Sequence, residues 1–287
     1  DEDFKKTIVN LYENGKGISE LSREYGVGKS TIDSWIKKYK TIITSTGETT
    51  TNDEILKLQK KNRELEQEVE ILKSKMTIAE TEVIAGMEFY KGTFEGKDIV
   101  LVRSGVGKVN MATCTQILID KFNVTALINS GVAGTLDPSL EQGDIVISTE
   151  AVQHDFDTTV FGDPLGEISR LGVTFFEADQ DMIEIAKEAS KNVPEVTVKE
   201  GRIASGDQFV AGGEIAERIK SNFGEVSAVE MEGAAMAQVA YLNEVPYVIL
   251  RSISDKANGE AELSYEEFLP IAAKNASKMV EEFIKLY

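Results

Sequence analysis

The chain has 287 residues, 41% of them hydrophobic, a formal net charge of −18, one cysteine and one histidine. That length exceeds the ~100–200 residues usual for one domain, so a large domain and a smaller one are expected; a lone Cys114 excludes an intramolecular disulfide, one Cys with one His excludes a zinc site of the usual tetrahedral kind, and no apolar run approaches the ~18 residues of a membrane span. Residues 1–76 carry 14 Lys+Arg against 14 Asp+Glu, so all the net acidity belongs to the remainder, which argues against nucleic acid or anionic membrane as partners of that larger part.

The sequence opens on Asp1 rather than Met and shows no basic-then-apolar leader, which reads as a trimmed or partial cytoplasmic protein. Residues 3–40 predict three helices. Phe4, Ile8, Val9 and Leu11–Tyr12 mark the first, Ile18, Leu21 and Tyr25 the second, and Ile32, Trp35, Ile36 and Tyr39 the third, with Gly15, Gly17 and Gly26 as punctuation. The stretch from Ser19 to Lys40 resembles the helix-turn-helix of insertion-sequence transposases, with Gly26 in the turn. The resemblance implies Lys29, Ser30, Thr31 and Ser34 against base edges or phosphates, and Lys37, Lys38 and Lys40 against phosphates, so residues 19–40 are a candidate DNA contact. The plainer alternative is a structural three-helix unit with a solvated basic face. Gly28-Lys29-Ser30 mimics the end of a phosphate-binding loop, but that motif needs a glycine at position 23, where the chain has Arg23, and a strand before it.

Residues 42–53 are polar and Thr-rich, a linker ending in good helix caps. Ile55, Leu58, Asn62, Leu65, Val69, Leu72 and Met76 then recur at alternating spacings of 3 and 4. That is the stripe of a coiled coil, with Asn62 at a position that selects register and a two-stranded state; the alternative is one amphipathic helix packed on its own domain. From Thr81 strands alternate with helices: a hairpin over Glu88–Val102 turning at Glu95-Gly96, strands near 124–130, 144–148 and 196–205, and helices near 108–122, 179–191, 212–222, 232–243 and 264–286. The alternation predicts a three-layer α/β domain with a mostly parallel central sheet. Cys114, beside Met111 and Leu118 on a predicted helix, reads as a small buried hydrophobe.

Two stretches organise the larger part. Ala228-Val-Glu-Met-Glu-Gly-Ala-Ala-Met-Ala237 and Val248-Ile-Leu-Arg-Ser-Ile-Ser-Asp255 each run from a buried strand into an acid, and in such sheets ligands sit beyond the carboxyl ends of the strands. Glu232 and Asp255 could serve as helix caps instead. Two acids at consecutive strand ends with Arg251 between them fit caps less well. These segments, together with Ser104-Gly-Val-Gly-Lys-Val-Asn110, Asn129-Ser-Gly-Val-Ala-Gly134, His154-Asp-Phe-Asp157, Ala204-Ser-Gly-Asp-Gln-Phe-Val210 and Leu263-Ser-Tyr-Glu-Glu-Phe268, resemble the 5′-methylthioadenosine/S-adenosylhomocysteine nucleosidases of the purine nucleoside phosphorylase superfamily, over roughly residues 66–287.

The resemblance implies a phosphorylase/nucleosidase-like fold, a homodimer, no metal and no organic cofactor. Asp255, positioned by Ser254 and Arg251, would protonate the purine, and Glu232, with Glu230 and Met231 beside it, would hold the ribose as it turns cationic. Phe209 would stack on adenine while the Val210 backbone reads its edge, and Ala133-Gly134 would allow close approach beneath the base. Val106, Tyr265 and Phe161 would line the thioalkyl end, Phe161 from a second subunit. His154 and Asp155 are expected to be a structural pair near the dimer contact. Ser104-Gly-Val-Gly-Lys108 could cradle phosphate, but Val106 and Val132 stand where phosphorolysis would need a clamp, so hydrolysis is expected.

The general base is where the chain departs from this pattern. By register Glu68 takes the role, yet the family reaches it from an apolar strand ending in Gly-Ala-Met, and here the preceding residues are Leu-Gln-Lys-Lys-Asn-Arg-Glu-Leu. The alternative for Glu68 is an exposed coiled-coil position. The expected organisation is therefore a small all-α helix-turn-helix domain (1–41), a linker (42–53), a coiled-coil helix (54–76) and a nucleosidase domain (77–287) lacking its first strand. Two rivals to a nucleosidase stand: a transposase-derived DNA-binding zipper protein with an inactive enzyme-like domain, and a purine nucleoside phosphorylase.

Overall fold

A computed structural model describes residues 2–43, 49–51, 68–193, 196–257 and 261–287, with backbone alone for 2–3, 41–43, 49–51 and 261–267. The chain divides into two compact units, Asp1–Glu64 and Leu65–Tyr287.

In the first unit, α1 (Glu2–Glu13), α2 (Ile18–Tyr25) and α3 (Lys29–Tyr39) enclose Ile8, Val9, Leu21, Ile32, Ile36 and Tyr39. The apolar spacing therefore serves one small core, roofed by Phe4 edge-on to Tyr25 and Trp35, each at 6.0 Å. Gly26 ends α2 at φ 68, a left-handed conformation that glycine reaches without a Cβ penalty. The linker expected over 42–53 is not all coil: β1 (Thr41–Ile43) pairs antiparallel with β2 (Thr49–Thr51), as β-branched threonine and isoleucine favour. The first four residues of the coiled-coil stripe, Ile55 to Leu65, lie outside the described residues.

The second unit opens on a helix, α4, described over 68–75. Its Leu72 is buried and Met76 packs beside it in the unit's own core. This end of the stripe is thus spent on its own domain rather than on a zipper, because a 3,4 spacing fits any apolar surface. β3 (Thr77–Ile84), β4 (Met87–Phe94) and β5 (Lys97–Val102) form an antiparallel meander, one strand longer than the expected hairpin. The β4–β5 turn falls on Glu95 and Gly96 at φ 50 and 80, the paired positive angles of a tight hairpin. α5 (Lys108–Phe122) covers this sheet with Cys114, whose thiol burial pushes up to about 12.

There follow β6 (Leu127–Thr135), β7 (Ile145–Gln153), a short 3-10 turn (Thr159–Phe161), β8 (Phe176–Glu177), α6 (Gln180–Ser190), β9 (Val198–Ser205), α7 (Gly213–Phe223), β10 (Val226–Glu230), α8 (Gly233–Leu242), β11 (Tyr247–Lys256) and α9 (Ala261–Leu286). The sheet order is β11-β6-β10-β9-β7-β8, and β11 also pairs with β7. The expected mostly parallel open sheet is corrected here. β9 is parallel to β7 and β10, and β11 to β6, but β10–β6, β11–β7 and β7–β8 are antiparallel, so the sheet is mixed and curls closed. Register shifts at Ser148/Glu150, Val226/Ala228 and Ile253/Asp255 supply the bends. Ile145, Val146 and Ile147 on β7 and Val248 to Asp255 on β11 are buried, β7 under α6 and α8 and β11 under α9, whose Leu269, Ala272, Ala276, Met279 and Phe283 are buried in turn.

Candidate active site

The carboxyl ends of β6, β10 and β11 bring three of the expected acids into one neighbourhood, and α4 adds the fourth. β10 ends on Glu230, whose carboxylate accepts the amide of Glu232 at 3.0 Å and that of Gly233 at 2.8 Å. Glu230, not Glu232, therefore caps α8. That frees Glu232, whose own side chain caps nothing. Glu230 is buried, and it also accepts from the Ser205 hydroxyl and from Arg251. Arg251 in turn donates to Asn129 and lies 3.7 Å from Glu232 Oε2. A buried guanidinium is tolerable only when paired in this way. Gly131 makes room for it, since a Cβ there would overlap Arg251 Nη1.

Glu232 Oε1 accepts the Gly107 amide at 2.8 Å, and its second oxygen points toward Arg251. Burial and the neighbouring Glu230 push its carboxyl above the usual range, against Arg251 and the Gly107 and Met231 amides. Glu68, half-buried at the start of the described part of α4, faces the Ser130 hydroxyl, a buried group with no hydrogen-bond partner, and lies within reach of the Arg251 charge. Burial raises its pKa while these two neighbours oppose the rise. The alternative of an exposed coiled-coil glutamate does not describe this side chain.

Asp255 lies at the end of β11, 1% exposed. Its Oδ1 accepts from the Ser254 hydroxyl at 2.8 Å, whereas Oδ2 is buried with no hydrogen-bond partner. Burial pushes this carboxyl up, with only Ser254 opposing. Gly134 permits the placement, because a Cβ there would stand 2.8 Å from Oδ2. Burial thus raises all three carboxyls, but Glu68 and Glu232 have the Arg251 charge opposing the rise and Asp255 has only Ser254, so Asp255 is the one of the three with no cation set against its protonated form among the described residues.

The other expected residues divide. Ala133 is buried at the end of β6 and Met231 is half-buried beside Glu232. Phe209 is 46% exposed in the loop before α7, where an arriving ring could stack, while the Val210 side chain belongs to the core under that loop. Val106, 58% exposed, lies on the loop just before Gly107, and Phe161, 83% exposed, ends the 3-10 turn. Tyr265 lies in α9, its side chain outside the described residues. Lys108 does not offer a phosphate contact: its ammonium is 2.6 Å from Asp155. Sequence reasoning missed Asn129, Ser130 and Ser205 as site residues. The signal was two adjacent polar residues inside the otherwise apolar run Leu127-Ile-Asn-Ser130. In the first unit, Lys29, Ser30, Thr31, Ser34, Lys37, Lys38 and Lys40 are all exposed along α3 and its end, with Lys37 2.8 Å from Asp33 and the Lys38 ammonium 5.0 Å from the Tyr39 ring centre.

Known proteins fit this geometry. A family model described as the phosphorylase superfamily matches residues 63–285, and one described as transposase matches residues 1–70, the two overlapping at 63–70. The 5′-methylthioadenosine/S-adenosylhomocysteine nucleosidase of Psychromonas ingrahamii is 47% identical over 220 residues, 77% of this chain and 95% of the relative, and that of Halalkalibacterium halodurans 46% over 216 residues, 75% and 93%. The crystal structure of the Neisseria meningitidis nucleosidase with methylthio-immucillin-A has a TM-score of 0.74 at 42% identity, covering 77% of this chain and 95% of that one. A futalosine hydrolase of Helicobacter pylori gives 0.72 at 37% identity, covering 77% and 93%. Through residues 63–285 the chain belongs to the phosphorylase superfamily, and within it to the 5′-methylthioadenosine/S-adenosylhomocysteine nucleosidases.

Proposed function

We propose that the chain hydrolyses the N-glycosidic bond of 5′-methylthioadenosine and S-adenosylhomocysteine, releasing adenine. The observation that carries this reading is the buried Asp255 carboxyl with a free Oδ2, set against the Glu68–Arg251–Glu232 cluster. Asp255 gives its proton to the purine as the C1′–N9 bond breaks. Glu232 accepts hydrogen bonds from the ribose hydroxyls and offsets the positive charge growing on the sugar, so it acts on the transition state more than on binding. Glu68 takes a proton from the water whose oxygen bonds to C1′. Phe209 stacks on the departing base, and Val106 and Tyr265 border the thioalkyl end.

Hydrolysis is preferred over phosphorolysis because the cations near the pocket are already engaged. Arg251 is held by Glu230 and Asn129, and Lys108 by Asp155. A dianion would need a clamp of its own. The test is adenine release from methylthioadenosine by the purified chain with and without phosphate: phosphate-independent release supports the reading, and release that requires phosphate makes the chain a phosphorylase.

We propose further that the enzyme unit is a cytoplasmic homodimer that covers Val109 at the start of α5 and Val160 and Phe161 of the 3-10 turn, at 76%, 84% and 83% exposure, which are large apolar side chains for open solvent. Residues 19–40 would contact DNA through the exposed basic side of α3, a role supported by the transposase-type match. The domain limits proposed are 1–41 and 42–53, then a helix over 54–76 that runs into the enzyme domain of 77–287, its end α4 being part of the second unit's core. The first strand that the family resemblance calls for, and that the sequence before Glu68 does not spell, would belong beside β5, which pairs only with β4 among the described residues. No helix among the described residues is long and apolar enough to cross a membrane.

A further inference from the structure

We propose that Lys108 is a positioning residue for Glu232: it latches the β5–α5 loop so that the Gly107 amide is aimed at the ribose-binding carboxylate. The proposal rests on the nucleosidase reading of the site and names how that site is held.

The loop needs a latch. Gly105 and Gly107 have φ of 85 and 94, conformations in which glycine resists little motion. The Glu232 carboxylate depends on that loop, because the Gly107 amide donates to it at 2.8 Å, whereas Arg251, at 3.7 Å, is committed to Glu230 and Asn129. Two other segments, the end of β7 with its following loop and the loop after β9, converge on the residue next to Gly107, and a third, α8, is reached through one of them. The Lys108 amide donates to Asp207 Oδ1 at 2.8 Å, and its ammonium, 17% exposed, donates to Asp155 Oδ1 at 2.6 Å and Gln153 Oε1 at 3.1 Å. Asp155 Oδ2 accepts the Asp207 amide at 2.9 Å, so one carboxylate ties the loop after β7 to the loop after β9 and to α5. Gln153 continues to Gln238 on α8 at 2.5 Å, the helix that Glu232 precedes. Burial would raise the Asp155 carboxyl, but Lys108 and the Asp207 amide hold it below the usual range, as an engaged partner should be.

A latch and a simple charge effect predict opposite things for Asp155 and the same direction for Lys108, so the Asp155 variant separates them. The charged groups facing Glu232 are Glu230 on β10 and Arg251 on β11, with Lys108, Asp155 and Asp207 beyond Gly107, His154 beside Asp155, and Glu68 on α4 reaching the same Arg251. Removing the Lys108 charge makes a Glu232 carboxylate harder to ionise through space, while removing the Asp155 charge makes it easier. If the latch operates, either change frees Gly107, takes a donor from Glu232 and raises its pKa.

The experiment uses the full chain carrying Lys108→Met, Asp155→Ala, both together, and Lys108→Arg. We expect kcat/KM for methylthioadenosine to fall ~10–100-fold in each single variant, no further in the double variant, and to recover in part with Arg. The acid limb of kcat/KM moves to higher pH in both single variants, and exchange of the Gly107 amide with deuterium quickens at least ~10-fold. Unchanged Gly107 exchange, additive losses, or acid limbs moving in opposite directions overturn the latch. The amide readout needs no turnover: a wild-type chain that releases no adenine refutes the nucleosidase reading, while loss of Gly107 protection in the variants still upholds the latch. Should Lys108→Met fail to fold, Asp155→Ala carries the same three readouts.

Discussion

Gly134→Ala isolates the proton donor. The new Cβ would stand 2.8 Å from Asp255 Oδ2 and 3.4 Å from Val229 Cγ2. A carbon–oxygen contact needs roughly 3.3 Å, so the carboxyl oxygen must give way by about half an ångström. Oδ2 has no hydrogen bond to hold it back and Asp255 has a short side chain, so the rotation falls on the acid rather than on the strand. If an error of ~1 Å costs ~10²-fold in rate, half of that costs about tenfold in kcat. Overpacking a buried position costs ~1–3 kcal/mol, which for a unit of this size lowers Tm by roughly 2–12 °C. Adenine release under saturating methylthioadenosine, with a thermal melt of the same sample, measures both. A folded Gly134→Ala chain with wild-type kcat would mean that Asp255 Oδ2 does not deliver the proton.

Other perturbations separate the roles around that acid. Asp255→Asn and Glu232→Gln should each lower turnover by ~10²-fold or more with the fold intact, as circular dichroism would verify; wild-type rates in either would remove that residue from the mechanism. Asp255 has a raised pKa when folded, so its contribution to stability is complete below its unfolded value and disappears as pH rises through the folded one. Melting temperature should therefore carry a downward slope over that window, and Asp255→Asn should flatten it. Gly131→Ala should be more damaging to stability than Gly134→Ala, because it displaces a buried arginine from a buried carboxylate, a loss of ~3–5 kcal/mol read from denaturant melts. Lys29→Ala and Lys38→Ala should each reduce the salt dependence of DNA binding by about one unit of log–log slope, and no binding at low salt would leave α2–α3 a structural unit.

What the sequence disclosed follows from how local each signal is. Glu232 and Asp255 were legible because an apolar strand that ends in an acid is a contiguous pattern, and Arg251 lies inside one of the two runs. Glu230 was expected near the ribose with Glu232, but its capping of α8 depends on a turn at Met231 that periodicity does not specify. Asn129, Ser130 and Ser205 escaped notice because a polar residue within a strand looks alike whether it faces Arg251, Glu68 or solvent. Strand direction was misjudged for a related reason: short apolar runs mark β11 and β7 as buried, whereas their antiparallel pairing depends on how three register shifts bend the sheet. The 3,4 stripe into α4 was real as a pattern, but Leu72 and Met76 spend it on their own core.

The junction between the two matched families carries the last prediction. α4 sets Glu68 beside Ser130 and Arg251, anchored by Leu72 one helical turn later. What precedes Glu68 is charged sequence where the family pattern has an apolar strand. Among the described residues β5 pairs only with β4, and residues 127–132 of β6 pair only with β11, although β5, α5 and β6 form a strand–helix–strand crossover of the kind that joins parallel neighbours. Ile99, Val100, Leu101, Val102, Ile128 and Val132 are only half-buried, which is unusual for aliphatic residues in the strands of an enclosed sheet. Replacing residues 1–65 with an eight-residue apolar strand ending in Gly-Ala-Met should cover them. At ~0.5 kcal/mol for each of the six, about 3 kcal/mol is gained, or roughly 6–12 °C in Tm. Firmer seating of α4 should raise kcat as well, and Glu68→Gln should abolish that gain. Hydrogen exchange gives the direct reading: amides of Ile99–Val102 and Ile128–Val132 should exchange readily in the present chain and become protected in the restored one. If those amides are already protected and the chain already turns over at the restored rate, another segment fills the place beside β5 and no strand is wanting.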